Sequence, residues 1–347
     1  MTRPFSNMIL AGAVAALSVV GLADLAQAQT RTRVTVYSAL EADQIGPLKA
    51  ALEARHRDVE IQWVRDSTGV ITARLLAERA NPQADVVWGL ALSSILFLNR
   101  DGQLFEPYAP AELSALKPVF RDSANPPVWT GMDAFLSFVA VNQPEAQKVG
   151  MTPITRWDDL LQPSLRGRIV MPNPASSGTG YLQVAAWLQS MGEERGWQFM
   201  DRLHENIGVY THSGSAPHVQ AARGERVVSI GLDMRAVREK TQGAPIDILL
   251  PQGGIGWEME ATALVRNRPN AAAARKVIDF SVSREAHEMY ARAYAVVGRS
   301  DVSATPRNYP SSAEAQMLPV DFARMAADRD RVLAEWTRRY DGKSAPR

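Results

Sequence analysis

Apolar and polar positions along this chain follow two periods that take turns. Residues 34–38 (Val-Thr-Val-Tyr-Ser) form a β-rich run, and residues 45–57 place Ile45, Leu48, Leu52 and Ala54 on one helical face. Residues 59–64 (Val-Glu-Ile-Gln-Trp-Val) return to the strand period of two. Asp66-Ser67-Thr68-Gly69 then opens a helix over 70–80, and residues 85–88 (Asp-Val-Val-Trp) predict a third strand, followed by Gly89 and a helix over 90–99. This rhythm predicts an α/β domain around a mainly parallel sheet.

Pro126-Pro127 breaks the rhythm, and a long strand-like run follows at 135–142. A new block starts at 157–161, and a second β-α series follows: a strand at 169–171, a helix over 181–188 and a buried strand at 227–231. Residues 260–265 read as a strand returning the chain to the first unit, 271–294 as helical and 332–340 as a last helix. The expected organisation is two α/β lobes joined by two crossover segments. Residues 29–138 plus 263–347 make lobe one, and residues 139–262 make lobe two. Ligands of open α/β sheets sit beyond the carboxyl ends of strands, so the loops after strands are the places to look.

One such loop carries the strongest signal. Residues 171–180 (Met-Pro-Asn-Pro-Ala-Ser-Ser-Gly-Thr-Gly) run from a short strand into a helix start. The first N–H groups of a helix lack internal partners and the dipole favours negative charge there. Ser176, Ser177 and Thr179 add hydroxyls, and Gly178 and Gly180 permit close backbone approach. An ordinary N-cap needs only one such residue. The Ser67-Thr68-Gly69 loop is a second candidate cradle in the other lobe, and Tyr37, Ser38, Glu41 and Trp88 follow or end neighbouring strands. If these loops line one cleft, the site suits a small anion with three or more acceptor oxygens. His212-Ser213-Gly214-Ser215 and Gly231-Leu232-Asp233-Met234-Arg235 belong to the second lobe. Asp233 follows a buried strand, where it faces a cationic ligand group, caps a helix or pairs with Arg235; Tyr37 and Trp88 would offer aromatic faces to the same cation.

Composition narrows the class. Arg3, an apolar stretch over 8–22 and Ala26-Gln27-Ala28 predict a cleavable export signal over 1–28, with cleavage near Ala28-Gln29. There is no cysteine, which removes disulfides and a lipid-anchored cysteine. The formal charge of +1 gives no reason to expect nucleic-acid or membrane-surface binding. No Gly-x-Ser-x-Gly elbow, phosphate-binding Walker loop or His-x-x-x-His pair is present, and the five histidines lack ligand spacing. Neither a metal, nor a cofactor, nor catalysis is expected.

Several runs resemble a known family: residues 37–43 (Tyr-Ser-Ala-Leu-Glu-Ala-Asp), 63–69 (Trp-Val-Arg-Asp-Ser-Thr-Gly), 84–89, 171–180, 203–208 and 256–263 (Gly-Trp-Glu-Met-Glu-Ala-Thr-Ala). Together they span essentially the whole chain after residue 28. The family is that of periplasmic substrate-binding proteins of 2-aminoethylphosphonate ABC transporters, within the wider ferric-ion/polyamine-type class. The resemblance implies a two-lobed periplasmic binding protein of type II (a Venus-flytrap), periplasmic location, a monomer and an inner-membrane permease as partner. It implies an aminophosphonate ligand with the phosphonate at the hydroxyl-rich helix starts of Ser67, Thr68, Ser176, Ser177, Gly178 and Thr179, and the amine at Asp233, Tyr37 and Trp88. Ser38, Glu41, Ser215 and Arg235 complete the expected site. Asp233 is one methylene shorter than the Glu expected in that family, and Met234 replaces an aromatic. The tandem tyrosines of iron-binding relatives are not evident, which argues against ferric ion. Another oxyanion, a phosphorylated compound or a polyamine would fit the same fold, and an exported phosphoester or phosphonate hydrolase is the alternative of another class.

Overall fold

The computed structural model describes residues 31–303 and 306–346. The expected export signal and its cleavage point lie outside the described residues.

The first lobe opens with β1 (Thr32–Ser38), α1 (Ala42–Arg55), β2 (Val59–Arg65), α2 (Thr68–Ala77), β3 (Val86–Ala91), α3 (Leu92–Leu98) and the short β4 (Phe105–Glu106). The chain crosses over on β5 (Trp129–Asn142). The second lobe holds α4 (Gln143–Lys148), β6 (Ile169–Pro172), α5 (Gly178–Met191), α6 (Glu193–Asn206), β7 (Ile207–Thr211), α7 (Ala216–Ala222), β8 (Val228–Leu232), α8 (Asp233–Thr241) and β9 (Ile246–Leu249). The return strand is β10 (Trp257–Val265), followed by α9 (Ala271–Ser281), α10 (Arg284–Tyr290), β11 (Val296–Val297) and α11 (Phe322–Tyr340).

The strands run in the order β2-β1-β3-β10-β5-β8-β6-β7. β1, β2 and β3 are parallel, as are β6, β7 and β8; β5 and β10 are antiparallel to their neighbours and to each other. Helices cover both faces, so β3, β6 and β8 are buried along their whole length and read as continuous apolar runs. The two central antiparallel strands are the crossovers. β5 pairs with β10 from Trp129 to Leu136 and with β8 from Ser137 onward.

The expected boundary at residue 262 falls inside the crossover strand β10, whose residues Glu260–Leu264 pair with β3 of lobe one. The last helix spans both lobes: its first half lies on α3 of lobe one, where the Arg329 guanidinium is 5.8 Å from the Phe97 ring. Its Trp336 packs edge-on against Tyr210 at 4.8 Å, and the Tyr340 hydroxyl donates to Asp201 at 2.7 Å, both in lobe two. Aromatic burial holds the end of the helix on the second lobe, and the spacing of residues 332–340 alone does not reveal which lobe receives it. The helical stretch 271–294 is broken at Val282 and Ser283, where Ser283 caps α10 by accepting from the Ala286 N–H at 3.2 Å.

Candidate functional site

Two helix starts from opposite lobes meet across the cleft. Ser67 precedes α2 in lobe one, and Ser177 precedes α5 in lobe two, where its hydroxyl accepts from the Gly180 N–H at 3.3 Å. The Gly69 N–H donates to the Ser176 carbonyl at 2.8 Å, directly between the lobes. The glycines make this approach possible. A Cβ on Gly69 would lie 2.1 Å from the Ala175 carbonyl oxygen, and one on Gly178 would lie 2.6 Å from the Thr68 hydroxyl. The lobes are therefore closed on each other. Between them lies a cavity of about 30 Å³, lined by the hydroxyl residues Ser67, Thr68, Ser177, Thr179 and Ser213 together with Arg65, Glu41 and Glu260. That space holds two waters or so, so a ligand enters only after the lobes part. Arg65 is anchored by its Nε donating to the Leu40 carbonyl at 2.8 Å and stands 3.4 Å from Glu41. Hydroxyls, two helix starts and a guanidinium together make an oxyanion cradle.

The cavity has a second, opposite chemistry. Glu260 of β10 and Asp133 of β5 are cross-strand partners. Asp233, at the start of α8, joins them from lobe two. All three are buried, and both oxygens of Asp133, one of Asp233 and one of Glu260 lack a protein partner. Burial raises each carboxyl, since a charge is costly away from water, and the neighbouring acids raise Asp133 and Glu260 further. Asp133 is held well above the carboxylate range, and Asp233 is pushed up to about 7 despite accepting from the Tyr309 hydroxyl at 2.5 Å. Among the described residues no arginine or lysine pairs with these three acids. Glu41, by contrast, is matched by Arg65 and by Arg235, whose Nη2 is 3.2 Å away across the lobes. Among the described residues no group of three or more His, Cys, Asp or Glu is arranged to hold a metal.

The profile of the bacterial extracellular solute-binding proteins matches residues 81–326. The chain belongs to this family. This solute-binding protein is 28% identical to AfuA of Actinobacillus pleuropneumoniae, solved with exogenous fructose-6-phosphate bound, with a TM-score of 0.81 over 89% of this chain and 98% of that one. Iron-bound HitA of Pseudomonas aeruginosa, at 18% identity, shares the fold with a TM-score of 0.74 over 88% of this chain and 99% of that one. A Salmonella typhimurium relative whose name proposes periplasmic 2-aminoethylphosphonate binding is 25% identical over 74% of this chain and 75% of its own. The fold is thus the two-lobed type II class, and the family places the protein in the periplasm as the substrate-binding component of an ABC importer.

Of the residues expected in the site of this solute-binding protein, Ser67, Thr68, Ser177, Gly178, Thr179 and Glu41 line the cavity. Ser176 lies just behind it, its hydroxyl donating to the His212 carbonyl at 3.1 Å. Ser38 is fully buried, with its hydroxyl accepting from the Leu40 N–H at 3.1 Å, and Ser215 is buried behind Ser213 with its hydroxyl unpartnered. Arg235 pairs with Glu41 and Glu239 rather than with Asp233. Tyr37 and Trp88 are not aromatic walls of this cavity. Strand alternation turns Tyr37 toward α2, where its hydroxyl donates to Glu78 at 2.9 Å under the Arg74 guanidinium. Trp88 is sealed in the core, donating to the Tyr290 hydroxyl at 2.9 Å beside Trp63 and Phe280. Glu260, Asp133 and Arg65 were missed. The acids had a signal: each is a carboxylate inside a run of mostly apolar residues, a position that solvation alone does not explain. Arg65 immediately precedes the Asp66-Ser67-Thr68-Gly69 loop.

Proposed function

We propose that this solute-binding protein captures 2-aminoethylphosphonate or a close aminophosphonate between its lobes and delivers it to an inner-membrane permease. The observation that carries this reading is the lining of a single cavity by an oxyanion cradle and by Glu260, which is backed by Asp133 and Asp233 and has no basic partner. A zwitterion answers both needs. Its phosphonate takes the hydroxyls and helix-start N–H groups of Ser67, Thr68, Ser177, Gly178 and Thr179. Its ammonium supplies the positive charge the acids lack. The name of the Salmonella relative points the same way.

The ligand touches both lobes, so it favours the closed form over the open one, and closure buries it. A cationic amine beside carboxyls raised toward neutrality also displaces protons, so affinity increases as pH rises toward 8. The second reading is a phosphorylated polyol, favoured by the sugar phosphate bound to AfuA. There the carboxylates would accept hydroxyl protons instead of holding an ammonium.

Isothermal titration of the chain from residue 29 with 2-aminoethylphosphonate, methylphosphonate, phosphate, ethanolamine and fructose 6-phosphate separates the readings. Tight binding of 2-aminoethylphosphonate with weak binding of the two halves, methylphosphonate and ethanolamine, is expected. Tight fructose 6-phosphate with no 2-aminoethylphosphonate binding transfers the site to sugar phosphates. Binding of none of the five overturns both.

A further inference from the structure

A second cavity adjoins the cradle and is larger than a two-carbon amine needs. The seam between α1 of lobe one and α8 of lobe two begins at the cradle and runs away from it. Glu41 and Leu232 line the cradle; two residues further along each chain, Asp43 and Met234 line a chamber of about 460 Å³. The cross-lobe pair Glu41–Arg235, at 3.2 Å, stands at the junction, and the Asp43–Arg238 pair spans the same seam farther out. Pro47, Leu48, Val237, Met289 and Ala293 give the chamber a largely apolar wall. Its volume falls in the range of small-molecule sites, and Met234 and Met289 are flexible, polarizable side chains that adapt to varied shapes. Asp233, whose free oxygen belongs to the acid floor, directly precedes Met234 of the chamber wall.

We propose that this chamber receives an apolar substituent carried on the amine of the ligand, so that the substrate class extends to N-alkyl and N-aryl-alkyl aminophosphonates. This rests on the aminophosphonate reading of the cradle and acid floor. A ligand whose phosphonate sits in the cradle and whose amine meets Asp233 and Glu260 points its nitrogen substituent along the seam. A secondary ammonium keeps its charge and two N–H donors, so it still satisfies the acids. The occupant is apolar because most of the wall is; of the charged groups lining it, Asp43 and Arg238 satisfy each other, while Arg292 and Arg307 would repel a further cation.

Calorimetric titration with 2-aminoethylphosphonate and its N-benzyl derivative tests this on the wild type and on Ala293→Trp, which fills the chamber. The N-benzyl compound should bind the wild type about tenfold more tightly than the parent, as expected for burying an aromatic ring. Ala293→Trp should remove that gain and leave the parent within about twofold. Met289→Trp serves as a second filling variant if the first fails to fold. An N-benzyl compound that binds more weakly than the parent, or whose gain survives both fillings, overturns the inference while the function stands. If neither compound binds, the aminophosphonate reading fails, and anilinonaphthalene sulfonate fluorescence tests the chamber alone. Fluorescence gained by the wild type and lost on filling then keeps an apolar site there, and equal fluorescence removes it.

Discussion

Asp233→Asn should stabilise the empty protein and weaken the aminophosphonate at the same time. The Asp233 carboxyl moves from its ordinary 3.8 to about 7 because it is fully buried and its Tyr309 hydrogen bond only partly offsets that. A raised value means the folded state binds the proton more tightly than the unfolded chain. Below pH 4 or so both states are protonated and the charge has no cost. As pH rises to 7 the unfolded chain releases its proton freely while the folded one resists, and the penalty reaches about 4 kcal/mol at 1.36 kcal/mol per pH unit. Asparagine keeps an acceptor for Tyr309 and never ionises. Recovering half the penalty raises Tm by roughly 3 °C at pH 7 and by almost nothing near pH 4. Differential scanning calorimetry across pH 4–8 reads this directly. With ligand the order reverses. At about a hundredfold excess over Kd, 2-aminoethylphosphonate adds about 2.7 kcal/mol to the wild type and far less to the variant, while a ligand without an amine is indifferent to the change. A variant less stable than wild type at pH 7, or a stability difference that does not change with pH, refutes the buried-acid reasoning.

Other substitutions probe separate parts of the site. Gly69→Ala places a Cβ 2.1 Å from a backbone oxygen of the opposite lobe; small-angle scattering should show a more open particle, and ligand affinity should fall at least about tenfold, because the closed form is the one that binds. Thr179→Ala removes a hydroxyl from the cradle and should weaken phosphonate binding by roughly 1.5–3 kcal/mol in a titration, the usual loss for a hydrogen bond to a charged group. Trp88→Phe abolishes the 2.9 Å bond to Tyr290, so calorimetry should show a loss of about 1–3 kcal/mol in stability while the Kd stays unchanged; a weakened Kd would restore Trp88 to the site. The affinity for 2-aminoethylphosphonate should rise between pH 6 and 8 as Asp233 and Glu260 lose their protons, and an affinity flat across that range refutes the ammonium contact.

Local pattern carried much of this protein. The strand and helix periods of residues 34–99 are short-range facts, so β1 to α3 were legible within a few residues. The hydroxyl and glycine loops were legible for the same reason, since a helix start has the same orphan N–H groups wherever it sits. Which side chains share a cavity was decided by long-range pairing. Asp133 and Glu260 stand 127 positions apart and become neighbours only because β5 and β10 run antiparallel in a set register. Arg235 reaches Glu41 across 194 positions, because α8 and α1 face each other when the lobes close. The converse error has the same origin. Tyr37 lies near the end of β1 and Trp88 in the middle of β3, yet each faces a helix layer that covers the sheet. The sequence by itself determined the elements and the hydroxyl- and glycine-rich helix starts, which depend on neighbouring residues. Only the tertiary structure decided that a cluster of buried acids and an apolar chamber lie beside those loops, because burial and pairing across distant strands are set by how the sheets pack.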